Sequence, residues 1–254
     1  MSIHIKNEAE IEIMRRAGKA LASVMHELEK QVRAGVSTLQ IDKLAEELIL
    51  AAGGQPAFKG YGGGKNPFPA TICASVNDEV VHGIPSDSRI LENGDIFKID
   101  IGIEIDGFYS DMARTFAIGE ISEQALKLIE ITEKSFWKGI KNLKAGAMLS
   151  EFSKTAQKTV EDAGFSVVKN LVGHGIGKNL HEDPQVPNYF EAGYRDLVLE
   201  AGMTLALEPM VNVGTHKTEL GSDGWVFLTA DRKLSAHYEN TILITEKGVE
   251  VLTA

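Results

Sequence analysis

Two aspartates in the middle of this sequence, Asp100 and Asp111, have the type and spacing of residues that bind a metal ion. They lie within residues 94–116, an apolar stretch interrupted by Asp106-Gly107. This dipeptide favours a two-residue hairpin turn, which would pair Gly102 with Asp111 across two strands. The two carboxylates would then lie diagonally on one face, with backbones roughly 7–8 Å apart, and Gly102 would leave room between them. From this stretch alone, a solvated hairpin face explains the pattern equally well.

Three further residues would complete such a site. Glu208 ends one apolar segment, Glu239 precedes another, and His174 lies among the glycines of residues 173–177. Each acid taken singly also fits the end of a strand that reaches solvent. A histidine in a glycine-rich segment is as often capped or buried in the core.

Taken together, the four carboxylates and the histidine favour a site for divalent cations. Four converging negative charges would repel one another strongly in a poorly solvated site, and two divalent cations would cancel that charge. Oxygen-rich ligation with one imidazole suits Mn, Fe or Co better than a structural Zn, which prefers Cys and His. A pair of metal ions about 3.5–4 Å apart activates a water molecule for hydrolysis. These residues therefore indicate dimetal hydrolytic chemistry.

The composition is typical of a soluble globular protein. The 254 residues are 43% hydrophobic and 24% charged, which suffices for one large domain or two small ones. No apolar run reaches the roughly 18 residues of a membrane span, and the N-terminus lacks the pattern of a signal peptide. The single cysteine, Cys73, fits a reducing compartment, and the net charge of −10 argues against general binding to nucleic acid or anionic membranes. We therefore expect a cytoplasmic protein.

Helical periodicity predicts four helices, arranged as two pairs. Asn7 is a suitable N-cap for a helix over residues 8–34, and Ser37 begins a capping box for a second helix. Ser122 and Ser150 open two more helices in the second half of the chain.

The two helix pairs belong to a longer internal match. Residues 32–53 match residues 143–164 at an offset of 111, and residues 91–100 match residues 199–208 at an offset of 108. Two matches in the same order predict an internal duplication.

A duplication of helices and strands predicts an α+β fold with a pseudo-two-fold axis. The single domain over residues 1–254 would then consist of two halves, roughly 1–118 and 119–254. Because Asp100 and Glu208 occupy matching positions, we expect them to face each other across that axis, where a site collects ligands from both halves.

Five segments together resemble one enzyme family. They are FPATICASVNDEVVHGIP (68–85), DIGIEIDGFYSDMARTF (100–116), GHGIG with HEDPQVPNY (173–189), ALEPM (206–210) and YENT (238–241). In order and spacing they resemble the type I methionine aminopeptidases of the short bacterial type, in the creatinase/prolidase superfamily, peptidase family M24. The resemblance covers essentially the whole chain. It implies the pita-bread fold, in which helices cover one side of an antiparallel sheet.

The resemblance also implies roles for individual residues. The matching metal ligands are Asp100, Asp111, His174, Glu208 and Glu239, with Asp111 and Glu239 bridging two metals. The matching catalytic residues are Glu208 as general base, His82 at the scissile amide, and His181 at the carbonyl or oxyanion. The matching methionine pocket consists of Tyr61, Phe68, Cys73 and Trp225, although loop 61–68 is longer and richer in glycine than is usual in the family.

The implied activity is removal of the initiator methionine from nascent proteins whose second residue is small, by dimetal-activated water attack. The implied cofactors are two divalent ions per chain, drawn from Co, Mn, Fe(II), Zn and Ni. The implied enzyme is a monomer that acts near the ribosome on N-terminal methionine. Two alternatives stay open, namely an Xaa-Pro aminopeptidase or dipeptidase of the same fold, and a catalytically inactive binding module.

Overall fold

The computed structural model describes residues 3–191, 193 and 196–254 and has four helices and fifteen strands in these ranges. The helices are α1 (Glu8–Glu29), α2 (Thr38–Ala51), α3 (Glu123–Ile140) and α4 (Ser150–Glu161). The strands of the first half are β1 (Gln55–Pro56), β2 (Ile72–Val76), β3 (Glu79–Val81), β4 (Ile96–Ile105) and β5 (Phe108–Ala117). Those of the second half are β6 (Ser166–Val167), β7 (Gly173–Gly175), β8 (Glu182–Val186), β9 (Thr204–Leu207), β10 (Met210–Asn212), β11 (Thr218–Leu220), β12 (Phe227–Thr229), β13 (Ser235–His237), β14 (Glu239–Ile244) and β15 (Val249–Val251).

The predicted helix starts are confirmed. Asn7 and Ser37 both form capping boxes at the starts of α1 and α2, and the Ser122 side chain accepts a hydrogen bond at the start of α3. Helix α4 begins at Ser150, where the backbone N–H donates to the carboxylate of Asp196 instead of to a neighbouring cap.

The predicted end of the first helix was wrong. Helix α1 ends at Glu29 rather than at residue 34, because its buried apolar stripe stops at Leu28. The chain then turns, and Gly35 donates its N–H to the carbonyl of Leu91. This contact fixes the entry to α2.

One antiparallel sheet organises the molecule. Its strands follow the order β1-β4-β5-β14-β9-β7-β8, with β2 added to β4 and β15 added to β14. Two smaller sheets, β13-β10-β6 and β11-β12-β3, extend from it. Strand β14 lies at the centre, because it pairs with β5 of the first half and β9 of the second. The prediction of an α+β fold with an antiparallel sheet is confirmed.

The hairpin of β4 and β5 has the predicted register. Gly102 pairs with Asp111 and Asp100 with Ala113, and the turn residues Asp106 and Gly107 have φ of 50° and 79°. Two positive φ values in a two-residue loop define a type I′ turn, whose twist matches that of the strands.

The expected role of Gly102 was wrong. A Cβ there would lie 2.8 Å from the Cβ of Ala57 and 2.9 Å from the ring of Phe58. The missing side chain therefore makes room for Phe58, and not for a gap between two carboxylates.

The two faces of this sheet differ in chemistry. On β4, the alternate residues Ile99, Ile101 and Ile103 pack with α1 and α2 in one apolar cluster. Leu205 and Leu207 of β9 lie in a second cluster with residues of α3 and α4. The intervening residues of each strand point to the opposite face, because side chains alternate along a strand. Asp100 and Ala206 are among them.

In each helix pair, the segment between the two helices makes matching hydrogen bonds to the segment that precedes β4 or β9. Gly35 N–H donates to Leu91 O at 2.9 Å, and Gly146 N–H donates to Leu199 O at 2.8 Å. Leu91 N–H and Leu199 N–H donate back to Val36 O and Ala147 O. These pairs recur at the offsets of 111 and 108 found in the sequence, an observation that supports the proposed duplication. Among the described residues, no helix is long and apolar enough to cross a membrane.

Candidate metal centre

Three neighbouring strands align the carboxylates across the middle of the sheet. Ala113 of β5 pairs with Asp100 of β4 on one side and with Glu239 of β14 on the other. The two acids therefore flank a small residue on the same face of the sheet. Asp111 lies two residues before Ala113, also on this face, and its backbone exchanges two hydrogen bonds with the Thr241 hydroxyl.

The second half contributes His174 and Glu208 to this face. His174 of β7 pairs with Ala206 of β9, and Glu208 directly follows β9. The Nε2 atom of His174 lies 3.7 Å from Oε1 of Glu208. Nδ1 of His174 lies 2.8 Å from the carbonyl oxygen of Gly175, an acceptor, so Nδ1 is assigned the proton and Nε2 is left free to bind a cation.

These side chains fit a divalent metal ion. Ligand atoms of Asp111, His174 and Glu239 all lie within 4.8 Å of one another, and all three residues are buried. The Oδ1 atoms of Asp100 and Asp111 are buried without a hydrogen-bond partner among the described residues. Buried carboxylate oxygens without donors are costly unless a cation binds them. The donor set of four carboxylates and one imidazole suits Mn, Fe or Co.

Without a cation the site strongly disfavours negative charge. Burial raises the pKa of Asp100 to about 7. Burial, together with the neighbouring carboxylates, raises the pKa values of Asp111, Glu208 and Glu239 well above their usual range. Burial also lowers the pKa of His174 to about 3, so this imidazole is neutral and able to act as a ligand.

A cavity of about 100 Å³ adjoins the carboxylates. The residues that line it are Phe58, Tyr61, Phe68, Cys73, His82, Asp100, Asp111, His174, Leu180, His181, Glu208, Trp225 and Glu239. All the site residues predicted from the sequence are in this set, so the fold brings them together. Whether each has the role that the resemblance implies stays a prediction.

Aromatic rings form one wall of the pocket. The rings of Phe68 and Trp225 pack edge to face, with centroids 5.2 Å apart. Cys73 is buried beside them, and burial raises the pKa of its thiol, so it behaves as a small hydrophobic residue. Tyr61 is the most exposed member, and its ring lies 4.9 Å from that of His181.

Two further histidines, His82 and His181, line the cavity. His181 packs against His174, with ring centroids 4.2 Å apart. His82 packs against Phe227 at 5.9 Å and adopts a φ of 61°. Burial lowers the pKa of His82 to about 4 and also lowers that of His181. Both rings are therefore neutral near pH 7, and each carries one N–H that can donate.

Three residues of the site were not among those predicted, namely Phe58 and Leu180, which line the cavity, and His237. Phe58 lines the cavity, and the signal for it was Gly102, whose missing side chain leaves space for that ring. His237 is buried with its Nε2 atom 3.7 Å from Glu208 and 3.9 Å from Glu239. Its signal was its position two residues before Glu239, since alternate residues of an extended segment share a face.

Comparison with known proteins decides the family. The family model described as metallopeptidase family M24 matches residues 12–246. The chain belongs to this family. The M24 assignment confirms the prediction of a metal-dependent hydrolase.

Individual M24 relatives match over nearly their full length. A methionine aminopeptidase of Clostridium acetobutylicum is 51% identical over 251 residues, which cover 99% of this chain and 98% of that protein. The crystal structure of a methionine aminopeptidase from Thermotoga maritima superposes with a TM-score of 0.95 at 43% identity, covering 99% of both chains. An Xaa-Pro dipeptidase from Bacillus anthracis shares the fold alone, with a TM-score of 0.78 at 24% identity over 98% of this chain and 61% of that one. The pita-bread fold is therefore confirmed.

Proposed function

We propose that this protein is a methionine aminopeptidase that removes the initiator methionine from nascent chains with a small second residue. The observation that carries the proposal is the cavity in which an aromatic wall meets four carboxylates and His174. The similarity to methionine aminopeptidases over nearly the whole chain supports the same activity.

The cavity explains a preference for methionine. Its volume of about 100 Å³ is well below that of a drug-sized site, so it suits one side chain rather than a long peptide. Phe58, Phe68 and Trp225 provide ring contacts, which favour the polarizable sulfur of a thioether. The buried Cys73 adds a small apolar surface to the wall.

We assign the metal-ligand role to Asp100, Asp111, His174, Glu208 and Glu239. When bound, divalent cations would balance the four carboxylates and lower the pKa of a water molecule. Five ligand residues are enough for two ions per chain, drawn from Co, Mn, Fe(II), Zn and Ni. The unpaired buried oxygens of Asp100 and Asp111 support this assignment.

Three residues would carry the proton transfers and the polar contacts to the peptide. Glu208 would accept a proton from the attacking water and return it to the leaving amine, a role that suits an ionised carboxylate at the edge of the cavity. His181 would donate an N–H to the carbonyl oxygen as negative charge develops there. His82 would contact the scissile amide.

We further propose that residues 1–254 act as one catalytic domain, as a monomer in the cytoplasm and near the ribosome. The resemblance to the short bacterial enzymes supports this setting. The buried single cysteine is consistent with a reducing compartment.

The decisive experiment uses metal-stripped protein titrated with Mn, Co, Fe(II), Zn, Ni and Mg. Methionine release is measured from Met-Ala-Ser, with Met-Lys-Ser and Gly-Pro-Ala as controls. Metal-dependent release from Met-Ala-Ser alone is the expected result. Cleavage of Gly-Pro-Ala would favour the Xaa-Pro enzyme. Metal binding without any hydrolysis would favour the inactive binding module.

A further inference from the structure

A lysine lies fully buried close to the proposed metal ligands. Lys98 of β4 has a relative exposure of 1%, and it shares a strand face with Asp100, two residues further along. Its Nζ donates to the carbonyl oxygen of Asn77 at 2.9 Å and to that of Ser235 at 2.8 Å. Among the described residues, no carboxylate lies within ion-pair distance of this ammonium. Backbone carbonyls are therefore its direct partners.

Keeping an ammonium at this position costs free energy. The Nζ atom is removed from water, and its direct partners are two neutral carbonyl oxygens instead of a carboxylate. An apolar side chain of similar length would avoid that cost. The cost is offset only if the cation does something that a methylene chain cannot do.

The two carbonyls come from opposite halves of the chain. Asn77 lies in the turn after β2 and adopts a left-handed φ of 52°. Ser235 is the first residue of β13, which leads within a few residues to Glu239 at the start of β14. The ammonium therefore joins the strand that carries Asp100 to the segment that carries Glu239.

We propose that Lys98 is a positioning residue that holds Asp100 and Glu239 at the spacing a metal ion requires. The proposal rests on the metal site of the proposed function. Residues that orient metal ligands without touching the metal typically change metal affinity 10–100-fold when removed. Lys98 acts on both halves at once, because one acceptor lies in the turn after β2 and the other lies in β13.

The test compares Lys98→Met with the wild type and with Lys43→Met, a matched change at an exposed lysine of α2. The dissociation constant for Co(II) and the Co(II) absorption spectrum are measured on metal-stripped protein, without substrate. The Ser235 N–H also donates to Asn77 O at 3.0 Å, so the backbone contact persists in Lys98→Met and the variant is expected to fold. If it does not fold, Lys98→Leu, which also removes the N–H donors, replaces it in the same titration with the same expected result.

The expected result is a 10–100-fold higher dissociation constant for Lys98→Met, a changed Co(II) spectrum, and wild-type binding by Lys43→Met. A lower melting temperature with unchanged Co(II) affinity and spectrum would overturn the proposal, because Lys98 would then serve stability alone. A wild type that does not bind Co(II) would contradict the proposed metal site itself, a separate failure.

Discussion

The two halves of the molecule supply ligands to one site by different means. The first half provides Asp100 and Asp111 from a single regular hairpin whose strands each have ten residues. The second half provides His174, Glu208 and Glu239 from or beside strands of three, four and six residues. The ladder between β7 and β8 also changes register after His174. The two halves therefore share matching helix pairs and matching hydrogen bonds, but they contribute unlike parts of the same sheet.

The first half therefore forms a rigid platform for its ligands, whereas the second half forms a more adaptable one. A long hairpin fixes side-chain faces over its whole length, so its register alone places both aspartates on one face of the sheet. Short strands leave room for loops, and the loop after β7 carries His181 toward the cavity. We infer that the first half contributes a rigid pair of metal ligands and most of the pocket wall, and that the second half adds the proposed base Glu208 and the proposed carbonyl contact His181.

The largest effect is expected at Glu208. Glu208→Gln removes the proposed base while preserving shape, so kcat/KM on Met-Ala-Ser should fall by about 10²–10⁴-fold. Glu200→Gln, at an exposed position of the same half, is the control and should leave kcat/KM unchanged. Near-normal turnover by Glu208→Gln would defeat the mechanism and the division of roles between the halves.

A pair of glycine variants compares the packing of the two halves. A Cβ at Gly175 would lie 2.1 Å from the backbone oxygen of Asp183, whereas one at Gly102 meets the side chains of Ala57 and Phe58. Backbone cannot yield as a side chain can, so we expect Gly175→Ala to cost about 3 kcal/mol of unfolding free energy and Gly102→Ala about 1–2 kcal/mol. Chemical denaturation measures both.

The same two variants should differ in kinetics. Gly102→Ala would push Phe58 into the cavity and raise KM for Met-Ala-Ser. Equal losses of unfolding free energy at the two positions, or an unchanged KM for Gly102→Ala, would contradict the contrast between the halves.

Metal-free protein should become less stable as pH rises from 7 to 8.5. In this range unfolded carboxyls are ionised, while burial and the neighbouring carboxylates raise the pKa values of folded Asp111, Glu208 and Glu239 and so favour their protonated forms. The folded state then binds more protons, and each net proton is worth about 1.4 kcal/mol per pH unit. Lys98, whose pKa burial lowers to about 7, acts in the opposite direction but is one group against three.

Melting temperatures of metal-stripped and Mn-loaded protein, measured across this pH range, test whether the carboxylates form one buried cluster. The melting temperature of Mn-loaded protein should not fall as pH rises, because bound cations keep the carboxylates ionised. A rise in stability with pH in the stripped protein would mean that carboxylates from the two halves do not meet in one buried cluster.

The smallest effect is expected at the hairpin turn. Gly107 has a φ of 79° and open space around its missing Cβ, so Gly107→Ala adds backbone strain without a clash. We expect a loss of about 1 kcal/mol in unfolding free energy. Activity should not change, and a fall in kcat would show that the first-half platform is less rigid than its register implies.

The sequence predicted most of what depends on local rules. The hairpin register followed from Asp106-Gly107, and three helix starts followed from Asn7, Ser37 and Ser122. Each is determined by interactions within a few residues along the chain. Convergence of the four acids could be argued because buried charge must be balanced.

Features set by distant packing could not be predicted in this way. Phe58 enters the cavity because β1 pairs with β4, a contact between segments far apart in the sequence. Lys98 reaches two carbonyls that no local pattern connects. Helix α4 begins with a donor bond to Asp196 from a remote segment. Such contacts exist only once the sheet has assembled.

The central position of β14 in the sheet also determines when, during synthesis, the metal site can form. This strand closes the gap between β5 and β9, yet it follows the first-half hairpin by more than a hundred residues in the chain. Nascent chains emerge N-terminal end first, so the first-half hairpin can form well before its partner exists. No complete ligand set can assemble until residue 239 has left the ribosome. The protein proposed to process nascent chains would thus gain that ability only after both halves of its own site have been synthesised.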